Sequence, residues 1–153
     1  PDAVSEAIAR CVVFKADVVA QDKTESRGVR ECLNYGHTLA HAIEKLSGYG
    51  MYSHGHAVAE GMRFAARMGM RLADMPAELA QAQAQLLDDL GLPELDWASS
   101  PAQVLETMKR DKKARHGQVR FVCLHDVGQW QLRDVADDVI LEELEAYFAQ
   151  KRR

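Results

Sequence analysis

A chain of 153 residues, 47% of them apolar, is long enough for one domain with a hydrophobic core. Its net charge of -4 is spread along the sequence and argues against a nucleic-acid surface, with the basic run 109–113 as a local exception. No apolar run reaches the roughly 18–20 residues that span a membrane, and residues 2–20 mix charged with apolar groups instead of building a signal peptide.

Val4, Ile8, Cys11, Val12, Phe14, Val18 and Val19 recur near the helical period and predict an amphipathic helix over residues 4–20. Residues 22–28, DKTESRG, read as a charged loop. Helical periodicity resumes from Arg30 to Leu46, with Ser47-Gly48 as its stop. Residues 48–55 then carry three glycines and two tyrosines, a turn able to pass close to a ligand. A long helix over 57–75, rich in alanine and methionine, reads as packing material rather than cofactor contact. Pro76 ends it and opens a helix over 77–90, which Gly91 and Pro93 close. Ser100-Pro101 caps a further helix to Arg110. Strands at 119–124 and 130–132, joined around 126–128, predict one hairpin, and a helix over 139–149 follows.

The fold class is therefore mainly α, a helical bundle with one small β-hairpin, and such bundles can place metal ligands on facing helices. Cys11, Cys32 and Cys123 have no CxxC spacing and lie in apolar runs, which predicts buried, reduced thiols in a cytoplasmic protein. The chain starts inside a predicted helix without an initiator methionine, which suggests a piece of a longer polypeptide.

Four of the six histidines fall within residues 37–56. His37 and His41 stand four apart, which puts both imidazoles on one helix face. His54 and His56 flank Gly55 just before the next apolar run. Two readings are open: a metal nest, or two capped helices whose histidines bond locally.

The strings KADVVAQDKTE, LNYGHTLAHAIE, HGHAVAEGM and MKRDKK, in that order between Ala7 and about Gly128, resemble the C-terminal domain of 3-dehydroquinate synthase. The string from Leu33 to Glu44 is the specific part of that likeness. The resemblance implies that a complete subunit has an N-terminal α/β domain binding NAD and a helical C-terminal domain with most metal and substrate ligands. Residues 1–153 would be a single helical metal- and substrate-binding domain. No GxG loop follows a strand, so the NAD-binding domain is expected to be absent from this chain.

By the same resemblance, His37 and His54 are two of three protein ligands of a catalytic zinc, or cobalt, the third being a glutamate of the N-terminal domain. His41 contacts substrate near its phosphate. Arg30 and Lys15 bind the anionic substrate, at its carboxylate, and Asn34 adds a polar contact. Glu25 matches an acidic residue in the preceding loop, and one of Lys112 and Lys113 reaches the phosphate. A solvated surface charge is the other reading for Arg30, Lys15 and the two lysines. Three departures stand out: His56 replaces the glutamate of the usual HGE triplet, Ala40 replaces a glycine, and Ser26-Arg27 adds a residue after Glu25. The change at His56 opens the question of substrate, whereas Arg30 and Asn34 favour one bearing a carboxylate.

The implied activity is a phosphorus–oxygen lyase of the shikimate pathway for aromatic amino acids. It turns 3-deoxy-arabino-heptulosonate 7-phosphate into 3-dehydroquinate and phosphate, by transient oxidation with NAD, β-elimination, reduction and ring closure. Family members are commonly homodimers. With half a site, the chain alone is expected to be silent, with His41 or His56 available to a vacant metal position. The alternatives are a related sugar-phosphate cyclase, an iron-dependent alcohol or glycerol dehydrogenase domain, and a non-enzymatic metal-binding helical module.

Overall fold

A computed structural model describes residues 2–24, 26–112 and 118–151. It divides into two compact units, Pro1–Asn34 and Tyr35–Arg153.

The first unit holds α1 (Ala3–Gln21), whose cap Asp2 accepts from the Ser5 amide at 2.8 Å. The predicted period is there, but the apolar face is open. Val18 is buried, whereas Val4, Ile8, Val12 and Phe14 are 59–63% exposed. Cys11 shares this open helix and is exposed, and Cys32 is half-buried, so of the three thiols expected to be buried Cys123 alone is. Burial pushes the Cys123 thiol up to about 11.

In the segment expected to be a charged loop, residues 26–29 gather around the buried carboxylate of Asp22. It accepts from the amides of Ser26, Arg27 and Val29 at 3.0, 3.1 and 3.2 Å. Burial pushes this carboxyl up, but the surrounding amides outweigh it and hold the group below its usual range. A 3-10 helix, Val29–Asn34, follows.

The single helix predicted from Arg30 to Leu46 is thus two pieces, and the break is Tyr35-Gly36. Gly36 takes φ +80°, which ends the 3-10 turn and starts α2 (His37–Leu46). The second unit continues with α3 (His54–Leu72), α4 (Ala77–Asp89), α5 (Pro101–Lys112), the antiparallel strands β1 (Val119–Asp126) and β2 (Gln129–Val135), and α6 (Asp137–Lys151). The fold is mainly helical with one hairpin, as the periodicity predicts. The strands run further than predicted, because Val119 pairs with Val135 and Arg120 with Asp134.

Helix α3 starts three residues earlier than predicted, so His54 and His56 lie in its first turn. The Ser53 hydroxyl caps that turn by accepting from the His56 amide at 3.3 Å. The core joins Leu39 and Ile43 of α2, Phe64 and Met68 of α3, Val104 and Met108 of α5, Val119 and Phe121 of β1, and Ile140 and Leu144 of α6. Thr38 ties α2 to β1 by donating to the Arg120 carbonyl at 3.0 Å.

Glu60 lies fully buried in this core, and periodicity gave no sign of it. Its carboxylate accepts from the Leu95 amide at 3.1 Å, the Trp97 indole at 3.2 Å, the Tyr147 hydroxyl and the Lys151 ammonium at 2.5 Å. Glu60→Ala strands an ammonium and several buried donors, so it should cost about 3–5 kcal/mol. Glu60→Gln, which keeps an acceptor, should cost less. Urea unfolding midpoints check both.

Candidate functional site

The site begins with a close crossing of helices. A Cβ on Gly36 would lie 2.8 Å from the Val58 carbonyl, and one on Gly61 only 1.9 Å from the Gly36 carbonyl oxygen. The two glycines therefore let the start of α2 lie directly on the middle of α3. His37 is the first residue of α2, His41 follows one turn later, and His54 opens α3. Gly48 and Gly50, at φ +80° and +99°, turn the chain between the helices. Ala40, where the resemblance called for glycine, is accommodated fully buried.

Three of the four clustered histidines meet. The ring centroids of His37 and His54 are 5.3 Å apart, those of His37 and His41 5.7 Å, and those of His41 and His54 6.4 Å. Two imidazoles on one tetrahedral ion with Zn–N bonds of ~2.0–2.1 Å have centroids roughly 5 Å apart. The pair His37 and His54 matches that spacing, and His41 stands further from His54. The fourth, His56, bonds locally, with Nδ1 2.7 Å from the Ser53 hydroxyl.

Each clustered ring is anchored through Nδ1. His37 Nδ1 lies 3.2 Å from the Tyr35 carbonyl, His54 Nδ1 2.9 Å from Glu44 Oε1, and His41 Nδ1 3.1 Å from Asp111 Oδ2. A carbonyl and a carboxylate only accept, so each Nδ1 carries the donated proton, and in the neutral ring the lone pair is on Nε2. That is the state in which histidine binds metal. Among the described residues, no group of three His, Cys, Asp or Glu converges tightly enough to hold a metal ion by itself. The chemistry of the pair fits two ligands of an ion whose remaining donors come from elsewhere.

His37 is half-buried, and burial is the main cause that lowers its pKa below 6.5. The Tyr35 carbonyl opposes this, while the nearby rings of His41 and His54 reinforce it. The unfolded chain then binds the extra proton more readily, so its contribution to stability is present above pH 6.5 and is lost as the pH falls through the lower folded value. Melting temperatures measured from about pH 8 to about pH 5 should fall in that window, and His37→Asn should flatten the profile. A slope confined to more acid pH would instead report carboxylates such as Asp22.

The other predicted site residues divide as follows. Lys15 is exposed on α1, Arg30 is half-buried in the 3-10 helix, and Asn34 is exposed with its amide donating to Glu31 at 3.1 Å. All three belong to the first unit, and the histidines to the second. Glu25, Lys113 and the side chain of Lys112 lie outside the described residues. A cavity of about 370 Å³ lined by Leu95, Trp97, Phe148 and Lys151 contains none of the clustered histidines. Sequence reasoning missed Glu44 and Asp111. Both sit inside quoted strings, but their partners are 10 and 70 residues away.

A family profile described as 3-dehydroquinate synthase C-terminal matches residues 1–114. The chain belongs to this family. Curated 3-dehydroquinate synthases agree. That of Neisseria meningitidis serogroup C is 41% identical over 143 residues, covering 93% of this chain and 40% of the relative. That of Crocosphaera subtropica is 41% identical over 133 residues, covering 86% and 36%. The chain thus spans about 40% of the length of the relatives it matches.

Among solved structures, a 2-deoxy-scyllo-inosose synthase complexed with carbaglucose-6-phosphate, NAD+ and Co2+ superposes with a TM-score of 0.75 at 28% identity. The match covers 90% of this chain and 39% of the other. A 2-epi-5-epi-valiolone synthase from Streptomyces hygroscopicus, with NAD+ and Zn2+ bound, reaches 0.82 at 16% identity, covering 99% and 41%, and supports the fold. No helix among the described residues is long and apolar enough to cross a membrane.

Proposed function

We propose that this member of the 3-dehydroquinate synthase C-terminal family is the metal- and substrate-binding part of a 3-dehydroquinate synthase. The enzyme would convert 3-deoxy-arabino-heptulosonate 7-phosphate to 3-dehydroquinate and phosphate in the shikimate pathway, in the cytoplasm and as a homodimer. The observation that carries the reading is the His37–His54 pair, spaced for one ion and with both Nδ1 atoms engaged by oxygen.

In this reading His37 and His54 hold a zinc or cobalt ion through Nε2, and a carboxylate and NAD come from an N-terminal domain beyond this chain. When bound, the ion supplies Lewis acidity to a substrate oxygen and NAD supplies reversible hydride transfer. The Arg30 guanidinium grips the substrate carboxylate through its planar fork, and the Lys15 ammonium adds charge there. Asn34 orients a hydroxyl, and Glu25 flanks this anion-binding segment. His41, steadied by Asp111, meets the phosphate end together with Lys112 or Lys113. The 153 residues alone bring two metal ligands and no dinucleotide loop, so they should release no phosphate by themselves.

Two observations favour a second reading, a related sugar-phosphate cyclase. His56 replaces a family carboxylate beside His54, and the fold likeness extends to a synthase complexed with a carbasugar phosphate. Phosphate release by the full-length protein with NAD and zinc separates the two. Release from the heptulosonate phosphate, with dehydroquinate formed, is the expected result. Release from a hexose 6-phosphate alone would move the assignment to the cyclase. Oxidation of a simple polyol without phosphate release would indicate a dehydrogenase, and a folded, metal-loaded protein inert to all three would leave the non-enzymatic module.

A further inference from the structure

We infer that Glu44 is the positioning residue of the metal centre, holding His54 in the tautomer and orientation that offer Nε2 to the ion. The inference rests on the reading of His37 and His54 as metal ligands and adds a residue to it. His37, His41 and Glu44 follow the spacing i, i+4, i+7, so one stripe of α2 presents all three. His54 faces that stripe from the first turn of α3, with Nδ1 2.9 Å from Glu44 Oε1.

The two partners differ in how they are held. The Glu44 side chain is 19% exposed, whereas that of His54 is 58% exposed. An imidazole so open, in the first turn of a helix, has little packing to select a rotamer or a tautomer. The carboxylate does both: as an acceptor it keeps the proton on Nδ1 and, by fixing that side of the ring, leaves Nε2 to the ion. Its negative charge also lies one imidazole away from a divalent cation that two neutral rings leave uncompensated. α2 thus carries one ligand and the support of the other. His37 needs no such carboxylate, because the Tyr35 carbonyl does the same work.

The test uses Glu44→Ala and Glu44→Gln in the full-length protein, with two readouts. Long-range nitrogen–proton NMR of the metal-free protein reports the His54 tautomer, and competition with a chelator reports zinc affinity. The wild type should show the Nδ1–H form. Glu44→Ala should lose that form and bind zinc 10-fold to 100-fold more weakly. Glu44→Gln keeps an acceptor oxygen, so it should keep the tautomer and recover part of the affinity. Asp111→Ala, as a comparison, should change the signals of His41 and leave those of His54. If Glu44→Ala keeps both the tautomer and the affinity, the positioning role is wrong while the metal site stands. If Glu44→Gln loses zinc as completely as Glu44→Ala with its tautomer intact, Glu44 is a ligand and not a positioner. A wild-type protein that binds no zinc overturns the metal reading, and the role of Glu44 with it.

Discussion

Gly61→Ala should destabilise the second unit by more than about 4 kcal/mol, at the extreme of what single substitutions do. The added Cβ would stand 1.9 Å from the Gly36 carbonyl oxygen and 2.9 Å from its carbon, both backbone atoms with no rotamer to yield. Relief requires α2 and α3 to separate, and the surfaces that part include Leu39, Ile43 and Phe64, all essentially without solvent exposure. Gly55→Ala is the matched control. It also lies in α3, without a positive φ, and its Cβ would meet nothing nearer than the Ser53 hydroxyl oxygen at 4.0 Å. That change should be neutral or slightly stabilising. Denaturant midpoints of the two variants decide the matter. Comparable stability would mean that the crossing is looser than its geometry indicates. Any Gly61→Ala protein that still folds should bind metal poorly, since the same crossing sets His37 against His54.

The second large effect concerns the ligands themselves. His37→Ala and His54→Ala should each weaken zinc binding more than about 100-fold, beyond the loss typical of removing an outer-shell partner. His41→Ala should weaken it less, because its ring stands 6.4 Å from that of His54 and is drawn to Asp111 on α5. Phosphate release should be lost in all three: in the first two with the metal, in the third with the metal retained. Chelator competition beside the activity assay separates these cases. Equal loss of zinc in His41→Ala would make it a third ligand and revise the division of labour.

Much of this was legible in the chain because it rests on local chemistry. The spacing of His37 and His41 and the stops at Gly48 and Gly91 depend on residues a few positions apart, so periodicity and capping rules find them. What they cannot reach is set by partners distant in sequence. The break at Gly36 answers to Val58 and Met62 across the helix crossing, so the run from Arg30 looked continuous. Glu60 reads as one polar residue in an apolar helix until Leu95, Trp97 and Tyr147 arrive from 35 to 87 residues away. The apolar stripe of α1 illustrates the reverse: spacing predicts the helix, but burial depends on what covers it. Glu44 was inside the most specific string of the chain, yet its role appears only once α3 brings His54 to it.

The account turns on one ion shared by two helices. A crystal of the zinc-loaded full-length protein, measured at the zinc absorption edge, tests this most directly. The predicted result is one anomalous peak at ~2.0–2.1 Å from Nε2 of both His37 and His54. A peak bound by neither histidine, or no peak in a protein that releases phosphate, would contradict it.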